Sequence, residues 1–465
     1  MLTHYLQLED STDCAARRKV LLVSPHFPPV NAPDHQRIRI ALPHFKTLGW
    51  DATVLTVEPD ESAHPQDSYL SQVLPDEVDI VTVPAIPAKL TRKIGLGNLG
   101  LRCWPYLYRA GQELLQQGNY DLVFFSTTMF PVMTLGPLWL KQFQVPYITD
   151  FQDPWRVDKV QQKNRTQQRP GGRIKYAIDK GLARWLEPIA LRRVSHIVSV
   201  SPAYPATLQQ RYAWLMPKMF TVLPFGAPTH DYAQLPELNI TQSIFDPDDG
   251  YRHWVYVGRG GRDMDTALTL LFDAIHQQKV RSPTLWAKVK LHFVGTSYDR
   301  ATQSKPIEAL AHQHRIADIV SEHPQRIPYF EAQQVLVDSD AILLIGSDDP
   351  SYSASKLYTA VLAKRPLLAI FHQQSLIVDI IRQCKAGDIV TFDKKTCGEK
   401  TFGEKTFGEK TSVPTQSLLT AIHKLVTLPK GSQASTQWSA FSAYSAENMT
   451  KTLCQCFDAA VSQKA

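Results

Sequence analysis

An α/β fold of two Rossmann-like domains is predicted for this 465-residue chain, and the order of its apolar segments carries the prediction. Short uncharged runs alternate with amphipathic stretches along most of the chain, the pattern of βαβ units around a mostly parallel sheet. The alternation breaks once, at residues 226–250, where Pro228, Pro236, Pro247 and an acidic Asp246-Pro-Asp-Asp249 cluster stand together, and then restarts. The length is too great for one ordinary core and suits two. The predicted organisation is a tail (1–18), a first Rossmann-like domain (19–225), a linker (226–250), a second domain (251–395), a low-complexity insertion (396–411) and C-terminal helices (412–465). The two domains should face a cleft, with the C-terminal helices packing across both.

Residues 19–24, Lys-Val-Leu-Leu-Val-Ser, form the first strand. A continuous apolar run is what a parallel sheet covered on both faces requires. Asp34 is then placed to cap a helix carrying Ile38, Ile40, Leu42 and Phe45, bent at Pro43 and closed by Gly49. Further strands are predicted at 52–57, 79–83, 121–125, 146–150, 196–200 and 219–223, with helices at 105–117, 132–143, 172–193 and 202–212. The second domain repeats the pattern. Its strands are predicted at 254–257, 289–294, 318–321, 341–345, 366–370 and 388–391, and its helices at 264–277, 305–314, 331–337, 355–363 and 375–383. Helices are also expected across 432–462. Residues 122–140 carry no charge and approach the length of a membrane span. Pro131, Gly136, Pro137 and Ser126-Thr127-Thr128 divide them into strand, loop and helix instead.

Composition narrows the class. Hydrophobic residues at 43% and charged residues at 20% describe a folded, water-soluble chain. A net charge of +6 permits an anionic ligand or surface. Cys14, Cys103, Cys384, Cys397, Cys454 and Cys456 lack zinc or redox spacing, which predicts reduced thiols and a cytoplasmic protein. Residues 1–18 have no apolar stretch of the signal-peptide kind. Asp263-Met-Asp265 and Asp338-Ser-Asp340 share the spacing of metal-dependent transferases but read as caps or turns. No metal or other cofactor is expected. The tandem Thr-Cys-Gly-Glu-Lys, Thr-Phe-Gly-Glu-Lys repeat at 396–410 fits neither helix nor strand period and reads as a solvated insertion.

Ligands of open α/β sheets bind beyond the carboxyl ends of the strands, so the loops there are the candidate sites. After the first strand, Ser24-Pro-His-Phe-Pro-Pro-Val-Asn-Ala-Pro-Asp34 leads into a helix N-terminus, where free amides attract anions. Pro28, Pro29 and Asn31 are its candidate site residues. Thr149-Asp-Phe-Gln-Asp-Pro-Trp155 offers Asp150 and Asp153 at a strand end, where a carboxylate can orient or deprotonate a hydroxyl. Val257-Gly-Arg-Gly-Gly-Arg262 joins close backbone approach at Gly258 to the guanidinium forks of Arg259 and Arg262. Ser347-Asp-Asp-Pro-Ser-Tyr-Ser-Ala-Ser-Lys356 supplies Asp348, a capping residue at Ser353 or Ser355, and the cation Lys356. A structural turn or an ordinary cap remains the alternative for each loop taken alone.

Together these strings resemble the family 4 glycosyltransferases and their GT-B relatives, over about residues 19–390. Val23-Ser-Pro-His-Phe-Pro-Pro29 is similar to the family's first strand and loop. Asp150-Phe-Gln-Asp-Pro-Trp155 resembles an Asp-Phe-x-Asp-Pro-Trp string common in one branch. Tyr256-Val-Gly-Arg259 and Ser355-Lys-Leu-Tyr358 resemble the donor-binding segments. The resemblance implies a GT-B fold with the donor in the C-terminal domain and the acceptor in the N-terminal domain. It further implies sugar transfer from a nucleotide-sugar to a glycan, lipid-linked or other hydroxyl acceptor. Donor contacts fall on Gly258, Arg259, Arg262, Asp348, Ser355, Lys356 and Thr359. Asp153 is the candidate catalytic residue. This sequence departs from the family where a glutamate usually holds the donor ribose, here Thr359, and at a second glutamate position, here Ser351. A nucleotide-sugar-binding protein without turnover and a nucleotide-sugar epimerase are the alternative functions.

Residues 159–193 contain ten lysines and arginines against Asp179 and Glu187, interleaved with Ile174, Tyr176 and Trp185. Such a stretch suits the anionic surface of a membrane, as a peripheral contact. No nucleic-acid motif accompanies the charge, and no nucleic-acid partner is expected.

Overall fold

The computed structural model describes residues 17–91, 97–156, 172–297, 303–350, 352, 354–393 and 415–463, the side chains of 172–178 excepted. The repeat at 396–410, Ser351, Ser353 and the first part of the basic stretch lie outside the described residues.

The N-terminal domain runs β1 (Arg18–Val23), α1 (Gln36–Phe45), β2 (Trp50–Val57), β3 (Asp79–Val83), α2 (Trp104–Gln117), β4 (Leu122–Ser126), α3 (Leu135–Phe143), β5 (Tyr147–Phe151), α4 (Gly172–Leu191), β6 (His196–Ser199), α5 (Ala203–Arg211) and β7 (Phe220–Val222). Its seven strands are parallel in the order β3-β2-β1-β4-β5-β6-β7. The continuous apolar strands predicted from sequence serve two faces. Leu21 and Val23 pack with α2 and α3 residues such as Leu107 and Trp139, while Val20 and Leu22 pack with Ile38 and Phe45 of α1.

A helix, α6 (Thr229–Gln234), occupies the predicted linker. The C-terminal domain then runs β8 (Arg252–Val257), α7 (Asp265–Arg281), β9 (Val289–Val294), α8 (Pro306–Gln313), β10 (Val320–His323), α9 (Tyr329–Asp338), β11 (Ala341–Ile345), α10 (Lys356–Leu362), β12 (Leu367–His372), α11 (Leu376–Cys384) and β13 (Asp388–Phe392). Six parallel strands lie in the order β10-β9-β8-β11-β12-β13. Trp254, Tyr256 and Leu343 face one layer of helices; Val255, Ile342 and Leu344 face the other.

The C-terminal helices divide between the domains. Leu418, Ile422 and Leu425 of α12 (Gln416–Thr427) join the C-terminal core. The chain then crosses back through Phe441 and pairs Ser445 with Ala227. In α13 (Ala446–Ser462), the Phe457 ring reaches Phe124, Trp50 and Phe45 at 5.2, 5.3 and 6.0 Å in the N-terminal core. Helix formation over 432–462 is limited to residues 438–444 and α13.

A second tie runs through α6. Arg39 of α1 donates to both oxygens of Asp231 at 2.8 and 2.6 Å, and Tyr329 of α9 donates to the same carboxylate at 2.8 Å. The Tyr329 amide donates to Asp67 at 2.7 Å. Leu70, Val73, Leu235 and Phe330 pack around this junction. One buried carboxylate therefore joins both domains and the segment between them.

Two local expectations are corrected. Asp34 does not cap α1: a 3-10 turn at Pro33–His35 intervenes, and the Asp34 side chain points inward. The strand expected at 318–321 forms two residues later, at β10, where Val320 and Glu322 pair with β9.

Two buried histidines contribute to the acid sensitivity of the fold. Burial, with Arg39 alongside, lowers the His35 pKa to about 3. Burial, with His253 alongside, lowers that of His292 to about 3. An unfolded chain protonates both near pH 6.5. Their contribution is complete above that pH and is lost as the pH falls towards 3, because the unfolded state takes up the protons first. By pH 5 each should cost about 2 kcal/mol. The urea midpoint should fall clearly between pH 7.5 and 5; an unchanged midpoint would contradict both assignments.

Candidate functional site

In each sheet the crossover direction reverses once. It reverses between β1 and β4 in the N-terminal domain and between β8 and β11 in the C-terminal domain. Loops leaving adjacent strands at such a point diverge and open a crevice. Both candidate centres lie there.

At the first, the loop after β1 is held on both sides. Asn31 donates its amide to Pro65 at 2.7 Å, and Asp67 donates its amide to Pro29 at 2.7 Å. The Pro28–Pro29 peptide is cis. Pro28, Pro29 and Asn31 thus form a structured wall. Behind it His26 is buried, with Nδ1 at 3.0 and 3.2 Å from the Asp34 oxygens. Asp34 also accepts from the Thr127 hydroxyl at 3.0 Å and from the Thr128 amide and hydroxyl at 3.1 Å. Burial opposes its ionisation. The His26 charge and hydrogen bond and the Thr128 amide outweigh that, and hold the carboxyl well below the ordinary carboxylate range. An ionised carboxylate only accepts, so Nδ1 of His26 carries the proton and, in the neutral ring, Nε2 keeps a lone pair. Among the described residues no hydrogen bond engages Nε2.

The loop after β5 separates its two aspartates. Asp150, expected on the acceptor loop, is fully buried and faces the core. It accepts from Arg37 Nε at 2.7 Å, Ser126 Oγ at 2.9 Å and Gln152 Nε2 at 2.9 Å. Arg37 also donates to the Leu223 carbonyl at 2.7 Å and lies over the Phe225 ring at 5.0 Å. Asp150 is therefore the counter-ion that fixes α1 to the exit from β7. Asp153 is exposed beyond the strand end. Next to it Trp155, Arg156, Glu187, Tyr204 and Arg211 line a small cavity. Glu187 accepts from Arg211 at 2.7 Å and Tyr212 at 2.8 Å. Burial dominates and raises its pKa despite these partners.

The second centre surrounds the glycine turn after β8. Gly258 has φ +149°, and a Cβ there would stand 3.2 Å from Lys356 Cδ, so the position needs glycine. Arg259 forms a two-pronged pair with Asp263 at 3.0 and 2.7 Å, and its guanidinium lies 4.8 Å from the Tyr352 ring centre. Asp263 accepts from Ser347 at 2.7 Å, which ties the turn to the loop after β11. Burial opposes ionisation of Asp263, but Arg259 and Ser347 outweigh it and lower its pKa. Lys356 donates to the Tyr256 hydroxyl, 4.1 Å above that ring, and Tyr256 donates onward to the Arg259 carbonyl at 2.7 Å. Burial, reinforced by Arg259, pushes the Lys356 pKa well below the ordinary lysine value. Arg259, already paired with Asp263, and the buried Lys356 share an aromatic floor of Tyr256 and Tyr352, where a bound anion would favour the charged form of Lys356.

The other predicted contacts lie around this core. Arg262 is exposed in the turn Arg262–Met264. Asp348 is exposed, and its amide donates to the Asp263 carbonyl at 2.7 Å. Ser355 stands at the N-cap of α10 but makes no side-chain cap bond, and the alternative cap, Ser353, lies outside the described residues. Asp263 lies in the same turn as Arg262, one of the two readings expected for it, and its carboxylate is spent on Arg259 and Ser347. The Thr359 hydroxyl donates back to the Lys356 carbonyl at 3.0 Å, while the Thr359 carbonyl accepts from Tyr232 at 2.7 Å.

Sequence reasoning missed the His26–Asp34 pair, Tyr256 and Tyr352. His26 and Thr127-Thr128 were both visible after apolar strands. Only the adjacency of β1 and β4 makes their loops meet. Among the described residues, no group of three or more His, Cys, Asp or Glu side chains could hold a metal ion. No described helix is long and apolar enough to cross a membrane.

Two parallel-sheet α/β domains joined in this way define the GT-B fold. Residues 38–226, most of the N-terminal domain, match the family model of the glycosyl transferase 4-like domain. Among solved structures, the chain is similar to Anabaena HepE in complex with UDP and glucose, at 13% identity and TM-score 0.53, covering 94% of this chain and 98% of that one. It is similar to the UDP-forming α,α-trehalose-phosphate synthase of Burkholderia xenovorans, at 12% identity and TM-score 0.56, covering 95% and 99%. It is also similar to the N-terminal domain of Candida albicans trehalose-6-phosphate phosphatase, at 12% identity and TM-score 0.57, covering 98% and 99%. No curated protein matches significantly by sequence.

Proposed function

We propose that the protein is a glycosyltransferase that moves a sugar from a nucleotide-sugar donor to a hydroxyl acceptor. The observation that carries this reading is the pair of switch-point centres: a cationic one in the C-terminal domain and an Asp–His one in the N-terminal domain. The match of residues 38–226 to a glycosyl transferase 4-like domain supports it. So does similarity to a protein crystallised with UDP and glucose.

The donor diphosphate would sit against Gly258, Arg259 and Lys356, with Arg262 and Ser355 at the rim. As the sugar leaves, negative charge grows on the diphosphate, and Arg259 and Lys356 would stabilise it. On the acceptor side, Nε2 of His26 would accept a hydrogen bond from the attacking hydroxyl, while exposed Asp153 orients the acceptor. Thr359 offers no charged acceptor for a ribose, and its own polar groups are engaged within the fold. That favours, as a second reading, a nucleotide-sugar-binding protein without turnover.

Calorimetry with UDP tests the donor centre. Replacing Lys356 by Met should weaken UDP binding about 10- to 100-fold, the worth of one hydrogen bond to a charged group. Equal affinity in wild type and variant would remove the nucleotide from this centre. A product assay with a panel of nucleotide-sugars then separates transfer from binding alone.

A further inference from the structure

The inner face of α4 is spent on the domain: Ala183, Glu187, Ala190 and Leu191 are buried. Its outer face is different. Trp185 is 77% exposed and Ile189 49% exposed, one helical turn apart on the same side. Isolated exposed apolar residues are ordinary; a bare tryptophan one turn from a bare isoleucine forms a paired apolar surface. Arg184, Arg192 and Arg193 are exposed on and just beyond the same helix, and Lys180 is half-buried one turn earlier. In this described stretch the acids are Asp179, which is exposed, and Glu187, which is turned inward onto Arg211 and Tyr212. Tyr212 in turn packs against Trp214 at 4.9 Å, where Trp214 and Met216 are 43% and 50% exposed. A second exposed apolar pair therefore lies at the corner to which α4 is tied.

We propose that this face, Trp185 and Ile189 ringed by Arg184, Arg192 and Arg193, docks on an anionic lipid bilayer. The chemistry selects that occupant. Tryptophan favours the headgroup boundary, arginine stems reach out to phosphates, and a positive surround suits a negative surface better than an ordinary protein face. Depth is limited, because the apolar part is about one helical turn long and the helix lies along the surface. Docking would bring the cavity beside Trp155 and Arg156 close to the membrane, since Glu187 lines that cavity from the opposite side of α4. The surface stands whether or not the protein transfers sugar, so its test needs no turnover.

Full-length protein would be sedimented with vesicles of phosphatidylcholine alone and with vesicles containing about one third phosphatidylglycerol. Capture by the anionic vesicles, weak capture by the neutral ones and release in about 0.5 M salt are expected. The Trp185→Ser/Ile189→Ser double variant and the Arg184→Gln/Arg192→Gln/Arg193→Gln triple variant should each lower capture about tenfold or more. All these side chains are exposed, so both variants should keep the wild-type urea midpoint. Equal capture by the two vesicle types, or capture indifferent to both variants, would overturn the proposal. A lipid-free dimer that Trp185→Ser/Ile189→Ser abolishes would assign the face to a second copy and overturn it equally.

Discussion

Replacing Arg37 by Leu should cost about 3–5 kcal/mol of stability, the loss expected when a buried charge is left without its partner. Asp150 is buried and would keep only Ser126 and Gln152 as donors. The cost would fall on two long-range links, because Arg37 joins α1 to β5 and to the Leu223 carbonyl at the exit from β7. The double variant Arg37→Leu/Asp150→Leu should recover much of the loss, since an apolar pair of similar size removes both charges together. Urea unfolding of the wild type, both single variants and the double variant measures the coupling. A loss below about 1 kcal/mol for Arg37→Leu would show that Asp150 is satisfied some other way.

The second large effect is on turnover. His26→Gln and Asp34→Asn should each lower sugar transfer by about 10²- to 10⁴-fold. The reasons differ. Glutamine removes the ring lone pair from Nε2. Asparagine leaves His26 in place but removes the charge that fixes the Nδ1 proton, so the ring loses its orientation and tautomer. The nucleotide affinity of both variants should stay at the wild-type level, because the cationic centre belongs to the other domain. Loss of transfer with UDP binding intact is the predicted signature. If transfer persists in both variants, the His26–Asp34 pair is structural, and Asp153 becomes the remaining polar candidate on the acceptor side.

Alternating apolar runs located almost every strand, because a parallel sheet covered on both faces leaves a local signal in each segment. The strand expected at 318–321 forms two residues later, at β10, a boundary set by pairing with β9 and not by its own composition. The loops after β1, β5, β8 and β11 are candidates by rule, since ligand crevices lie beyond strand ends. Asp150 and Asp153 stand three residues apart in one motif, and both are candidates for the acceptor side. The structure buries the first and exposes the second, because the pleat turns Asp150 towards Arg37 while Asp153 lies past the end of the ladder.

The sequence by itself determined the two α/β domains, their order, the strand ends that could carry chemistry, and the basic character of the segment around α4. Only the tertiary structure decided which loops meet. It set β1 beside β4, joining His26 and Asp34 to Thr127 and Thr128. It set β8 beside β11, joining Arg259 and Asp263 to Ser347, with Lys356 folded over Tyr256. It also left Trp185 and Ile189 bare while it buried Glu187 on the same helix. The physical reason is common to all three. Strand and helix formation are governed by neighbours a few residues away, whereas strand order and the facing of helices are settled by contacts between segments far apart in the chain, from 24 residues for Glu187 and Arg211 to 113 for Arg37 and Asp150.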